Sequence, residues 1–332
     1  MQHEPEPQEE IPPPRALWMP QNFGGLPPEF SRFSSARAVV LPVPYDLTTS
    51  YLAGTRFGPQ AIIEASTHLE LYDEELQCEP YRVGIHTLPP LEPSAASPQE
   101  TIERVEEVIT WIVEHKKFPV LLGGEHSLTL APVRALKKRF GSFSVLQLDA
   151  HADLRDSFQG TRFNHACVGR RMHELGLTLV QIGIRAISPE EAEFIRAAKT
   201  VHVCFDYEVH QDLTPWPPSR HGKGDLPSPF RGGAGGEVLQ VALAKLEDPV
   251  YVTLDLDVFD PALMPAVGTP EPGGLNWYTV LKILRHVGER HRVLGFDVVE
   301  LCPIAGMVGP NFLAAKLVYK MLGYFLTKGG QR

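Results

Sequence analysis

Short apolar runs recur along the chain: RAVVLPV (37–43), FPVLL (118–122), SVLQL (144–148), LVQIGI (179–184), VHVCF (201–205), VYVTL just ahead of Asp255, and VLGFDVV (293–299). Each reads as a strand. The segments between several of them carry helical spacing instead. FGPQAIIEASTHLE (57–70) has Pro59 near its first turn, where proline's missing N–H costs nothing. Ser97 opens a Ser-x-x-Glu cap, and Ile102, Val105, Val108, Ile109 and Ile112 follow at helical intervals. Residues 188–199 begin with a second cap of the same kind. Strands alternating with helices predict an α/β fold, a parallel sheet covered on both faces.

Two stretches break the rhythm. Residues 1–35 are acidic and proline-rich, and read as an extended arm, disordered or draped over a neighbouring subunit. From 36 to 332 the alternation predicts a single domain, interrupted at 212–236, where five prolines and six glycines fall in 25 residues and mark a surface insertion.

A hydrophobic share of 43% with 21% charged fits a soluble globular chain. The net charge of −9 argues against a nucleic-acid partner and suits a cationic substrate. Cys78, Cys167, Cys204 and Cys302 form no CxxC pair, so the reading is free thiols in a reducing cytosol. The N-terminus lacks the pattern of a signal or transit peptide, and no apolar run approaches the ~20 residues of a membrane span. The expectation is a cytoplasmic protein.

The chemistry lies where the strands end. After SVLQL comes DAHAD, placing Asp149, His151 and Asp153 at alternate positions. On an extended backbone these face one way, at the carboxyl end of a strand, where open α/β sheets hold their ligands. Asp255 and Asp257 repeat the spacing after another strand, with Asp260 read as a turn residue. In LLGGEHS, two glycines precede Glu125 and His126 and allow the backbone close to whatever His126 faces. Four aspartates and two histidines pointing at one place need cations. Two divalent ions nearly balance the charge, and carboxylates bridging both suit a two-metal site. Mixed oxygen and imidazole donors favour manganese, iron or nickel over thiolate-seeking metals.

GGEHS, DAHAD and TLDLDVFDP resemble the three metal motifs of the ureohydrolases, the arginase and agmatinase family, in order and spacing from about residue 36 to 326. The resemblance implies a three-layer α/β/α fold with a mainly parallel eight-stranded sheet, and two Mn²⁺ ions, with Ni²⁺ as the alternative. It implies one ion held by His126, Asp149, Asp153 and Asp255 and the other by Asp149, His151, Asp255 and Asp257. It further implies Glu300, in FDVVELCP, as the carboxylate receiving a guanidinium, His165, in FNHACVGRR, as a proton carrier, and Asn164 as a substrate-binding residue with them. Asp153 would orient the attacking water. GTPEPGGL (268–275) is most similar to agmatinases, so the expected reaction is agmatine to urea and putrescine. Guanidinobutyrate or free guanidine are alternative substrates, and a formimidoylglutamase or a non-catalytic metal scaffold are more distant readings. Such proteins form homotrimers or homohexamers. Thr253 departs from the serine common at its position, a change expected to leave the metals alone.

Overall fold

A computed structural model describes residues 20–210 and 234–327. Eight strands form one sheet: β1 Ala38–Val43, β2 Ile85–Thr87, β3 Phe118–Gly123, β4 Ser144–Leu148, β5 Thr178–Ile184, β6 Val201–Phe205, β7 Val250–Asp255 and β8 Val293–Val299. The helices are α1 Pro28–Ser31, α2 Gly58–Ser66, α3 Pro98–Glu114, α4 Leu130–Phe140, α5 Val168–Glu174, α6 Pro189–Ala197, α7 Asp206–His210, α8 Ala234–Leu243, α9 Trp277–Arg290 and α10 Gly309–Leu326. Seven strands fall on the predicted runs. The eighth, β2, is a three-residue edge strand with no apolar run to announce it.

The strand order is β2-β1-β3-β8-β7-β4-β5-β6, and every pairing is parallel. The sheet is therefore wholly rather than mainly parallel. Alternate side chains of each strand enter two separate cores. Ala38, Val40, Val120, Leu122, Leu146 and Leu254 pack with α2, α9 and α10 on one face. Val39, Leu41, Leu121, Val145 and Tyr251 pack with α3, α4 and α5 on the other. Burial on both faces is why the runs are continuously apolar. The result is the expected three-layer α/β/α sandwich.

The described part of the N-terminal segment does not project from the body. Phe23 and Leu26 are buried in the first core, and α1 lies beside them. Of the arm expected over 1–35, residues 20–35 thus belong to the body, and residues 1–19 lie outside the described ones. Of the insertion expected at 212–236, only 234–236 are described, and they open α8.

The order of strands positions the site. The chain builds β1 to β3 outward on one side and β4 to β6 on the other, then returns to place β7 and β8 between β3 and β4. Parallel pairing puts all carboxyl ends on one edge, so the segments leaving β3, β8, β7 and β4 meet there. These carry His126, Glu300, Asp255 and Asp149.

Candidate active site

Three carboxylate oxygens surround one imidazole nitrogen. His126 Nδ1 stands 3.0 Å from Asp149 Oδ2, 3.2 Å from Asp153 Oδ2 and 3.2 Å from Asp255 Oδ2, and all four residues are buried. Beside them, His151 Nδ1 lies 2.8 Å from Asp257 Oδ2 and 3.7 Å from Asp149 Oδ1. His126, Asp149 and Asp153 form one group able to hold an ion, and Asp149, His151 and Asp257 another. Asp149 belongs to both, one oxygen towards each. Asp255 joins the first through Oδ2, while its Oδ1 accepts the backbone N–H of Asp257 at 2.9 Å.

The tautomer of His126 shows what the cluster requires. Its Nε2 is 2.9 Å from Thr253 Oγ1, and that hydroxyl donates its proton to Asp297 Oδ1 at 2.6 Å. Thr253 must therefore accept from His126 Nε2–H, which leaves the Nδ1 lone pair facing the three carboxylates. Nδ1 has no hydrogen-bond partner. A lone pair aimed at three anionic oxygens needs a cation between them, so the residues fit metal ions. Tyr251 OH also donates to Asp297, at 2.7 Å. Thr253 holds His126 directly. The contact uses only the hydroxyl, which serine would also supply, so threonine in place of serine leaves the metals alone as expected.

The electrostatics agree. Burial raises Asp153 to about 7, with Asp149's charge adding to it. Burial and the charge of Asp257 take Asp255 well above the carboxylate range. Burial, then the neighbouring Glu125, raises Glu300 to about 8. Ionising these buried carboxyls together is costly, and bound cations would offset that cost.

The local backbone differs from the alternating-strand picture. β4 ends at Leu148, and Asp149–Asp153 continue as an irregular segment with a bridge at His151. Asp153 has φ +54°, a left-handed conformation rare for aspartate, which turns its carboxylate back towards His126. Asp257 sits in a 3-10 turn, Leu256–Val258, whose cap is Asp255. Asp260 caps a turn, accepting Ala262 N–H, as expected. The glycines before Glu125 serve a different purpose from the predicted one. A Cβ on Gly124 would lie 1.7 Å from Tyr45 O, so glycine lets the end of β3 press against the segment leaving β1.

Glu300 also has a left-handed backbone, φ +68°. Its N–H donates to Gly124 O at 2.8 Å, and its Oε1 accepts the His126 N–H at 2.7 Å. Oε2 is left towards a small well of ≈ 20 Å³ lined by His126, His151, Asp153, His165, Asp255 and Asp257 among others. His165 Nε2 is 3.2 Å from Ser50 Oγ, and its backbone N–H donates to Thr48 Oγ1 at 3.3 Å. Burial lowers the His165 pKa to about 4, which keeps the ring neutral.

Asn164 does not line the well. Its Oδ1 accepts Ala166 N–H at 3.0 Å and its Nδ2 donates to Thr48 O at 3.3 Å, so both ends are spent on backbone. These bonds fasten the start of the His165 turn to the Thr48 loop. Glu125, fully buried, accepts from Thr48 N–H at 2.7 Å and from the hydroxyls of Thr48 and Ser127, and fixes the same loop. Sequence reasoning missed Thr48, Glu125, Asp297 and the polar row under the site. Gln181, Gln147, Thr253 and Asp297 sit in register across β5, β4, β7 and β8. A polar residue inside an otherwise apolar strand was the available signal.

The protein-family model for the arginase family matches residues 36–215 and 231–323. The chain belongs to the arginase family. It is 40% identical to an N(1)-aminopropylagmatine ureohydrolase of Synechocystis sp. over 92% of this chain and 96% of that protein. It is 35% identical to an agmatinase of Pyrococcus horikoshii, over 86% and 90% of the two chains. The crystal structure of the agmatine ureohydrolase of Thermoplasma volcanium superposes with a TM-score of 0.77, at 30% identity over 92% and 94%. Family membership makes the chain a hydrolase and accounts for the metal-binding groups at the strand ends. No helix among the described residues is long and apolar enough to cross a membrane.

Proposed function

We propose that this protein cleaves a guanidino group to urea and an amine at two divalent ions, with agmatine giving urea and putrescine. The observation that carries the reading is the His126 Nδ1 lone pair facing three carboxylates, beside the Glu300 carboxylate that lines the same well. His126, Asp149, Asp153 and Asp255 would hold one ion, and Asp149, His151, Asp255 and Asp257 the other. The oxygen and imidazole donors suit Mn²⁺, with Ni²⁺ as the alternative. Such ions supply an activated water near neutral pH and offset charge developing on the substrate.

The residues around them supply orientation and proton transfer. Glu300 accepts paired N–H donors from the guanidinium and fixes its carbon, so attack becomes nearly intramolecular. Asp153 accepts a hydrogen bond from the attacking water and aims it. His165, neutral and at the rim, takes a proton and delivers it to the departing amine. Ser50 and the Thr48 loop hold the His165 ring in place. A cytoplasmic location and assembly as a homotrimer or homohexamer belong to the same reading. The four cysteines are free, and Leu263, Tyr278 and Phe312 leave apolar surface exposed near α9 and α10.

The test is urea release from agmatine by enzyme loaded with Mn²⁺ or Ni²⁺, beside a chelated sample. Asp149→Asn should lose bound metal and turnover together. Full activity after chelation would sink the scheme.

A further inference from the structure

Beside the guanidino well lies a larger cavity. The well measures ≈ 20 Å³ and its neighbour ≈ 240 Å³, and they share Ser50, His151, Asp153, His165 and Thr269. A guanidinium head does not need that room. The space beyond it is where a substrate's tail must go. Phe158, Ala186 and Ile187 give the cavity an apolar wall fit for methylene groups.

Beyond the candidate metal ligands, three charged side chains line it: Arg155, Glu191 and Glu271. Two are engaged in holding the fold. Glu191 is buried, accepting Leu154 N–H at 2.9 Å and Ser188 N–H at 2.7 Å. Arg155 has its Nε 3.9 Å from Glu191 and its guanidinium 4.8 Å from the Phe158 ring centre. Glu271 is different. Its side chain is 41% exposed, His151 Nε2 lies 4.0 Å from it, and no lysine or arginine side chain among the described residues pairs with its carboxylate. Its backbone is nonetheless fixed. Arg185 donates to Glu271 O from Nε at 3.3 Å and Nη2 at 3.1 Å, and the same Nη2 holds Asp257 O at 2.6 Å. One arginine therefore ties this carboxylate's segment to a candidate metal ligand.

We propose that Glu271 recognises a positively charged nitrogen carried on the substrate's chain beyond the guanidino group. The preferred substrates are then guanidino amines, including those extended by an aminopropyl group, and not guanidino acids. The inference rests on the guanidino-hydrolase reading above. A methylene chain lies on the Phe158 and Ile187 wall, and an ammonium meets the Glu271 carboxylate, which no lysine or arginine side chain among the described residues pairs with. A carboxylate tail would bring like charge to Glu271.

The experiment measures kcat/KM for urea release by the metal-loaded enzyme on agmatine, N1-aminopropylagmatine, 4-guanidinobutyrate and n-butylguanidine. The last has agmatine's chain without its amine. Wild type is expected to favour the two amines. Glu271→Gln should lower the agmatine-to-butylguanidine ratio about ten-fold, chiefly through KM, with metal content unchanged. Glu271→Lys should shift preference towards 4-guanidinobutyrate. If Glu271 only orients His151, both substrates lose equally and bound metal falls, which overturns the proposal. A wild-type preference for 4-guanidinobutyrate, or an unaltered ratio in Glu271→Gln, overturns it too while leaving the hydrolase reading standing. Urea from none of the four removes the hydrolase reading, and the tail reading with it.

Discussion

At the scale of single residues, the site depends on atoms that point the right way more than on acidic residues being present. His126 offers Nδ1 to the cluster because Thr253 occupies Nε2, and Thr253 can accept because Asp297 takes its proton. Partners of this kind typically contribute about 10- to 100-fold in metal affinity or activity. Thr253→Val keeps the shape and removes the hydroxyl, so metal titration should show a loss in that range. Thr253→Ser keeps the hydroxyl and should lose far less. Equal affinity in the valine variant would show that packing alone orients His126. Thr253 was visible in the sequence only as a departure from a family pattern. Its contact with His126 depends on how β7 is paired with its neighbours, and no local pattern states that.

At the scale of elements, the strand ends are shaped by close approach and by unusual backbone. Gly124 is where the end of β3 meets the segment leaving β1, and a Cβ there would overlap Tyr45 O. Gly124→Ala should cost about 3 kcal/mol, at the upper end for overpacking, because backbone on both sides resists moving. A urea melt of metal-free protein reads it as a lowered midpoint, and an unchanged midpoint would mean the approach can relax. Asp153 and Glu300 both adopt left-handed φ, at +54° and +68°. Non-glycine residues in that region are held there by their surroundings, and both sit at the site. Two helix caps, by contrast, were legible, although the Asn276 cap of α9 was not read. Ser97 accepts from Glu100 N–H, and Ser188 with Glu191 forms the complete reciprocal box, as their spacing predicted. A cap is settled within four residues, and a strand end is not.

At the scale of the whole molecule, α10 is fastened to the loop after α2 by a buried cation. Lys320 is 3.0 Å from both Asp73 and Glu75, and Glu75 also accepts from Tyr324 at 2.6 Å and Arg285 at 2.7 Å. Burial pushes the Glu75 pKa up, but these hydrogen bonds outweigh it and the net shift is downward from 4.5. A depressed folded-state pKa contributes stability above the unfolded value, and that stability is lost as pH falls through the folded one. Glu75→Gln should therefore be less stable than wild type near pH 7. Its deficit should narrow as pH drops below 4.5, as read by denaturant melts across that range. A deficit that stays constant with pH would assign the effect to shape. Lys320→Met removes the cation and leaves Asp73 buried without it, a loss of about 3–5 kcal/mol.

By itself the sequence determined the alternation of strands and helices, two of the caps, and the kinds of side chain at the strand ends. These follow from local periodicity and from the cost of burying charge without a counter-charge. It did not contain β2, which is too short for any periodicity to register. The tertiary structure alone decided that β7 and β8 lie between β3 and β4, bringing His126, Asp149, Asp255 and Glu300 to one edge. It also decided that Asn164 serves the backbone, that Thr253 turns His126, and that Glu271 stands beside an open cavity. Each of these depends on which distant segments become neighbours. That choice is made by packing across the whole sheet, and no window of sequence records it.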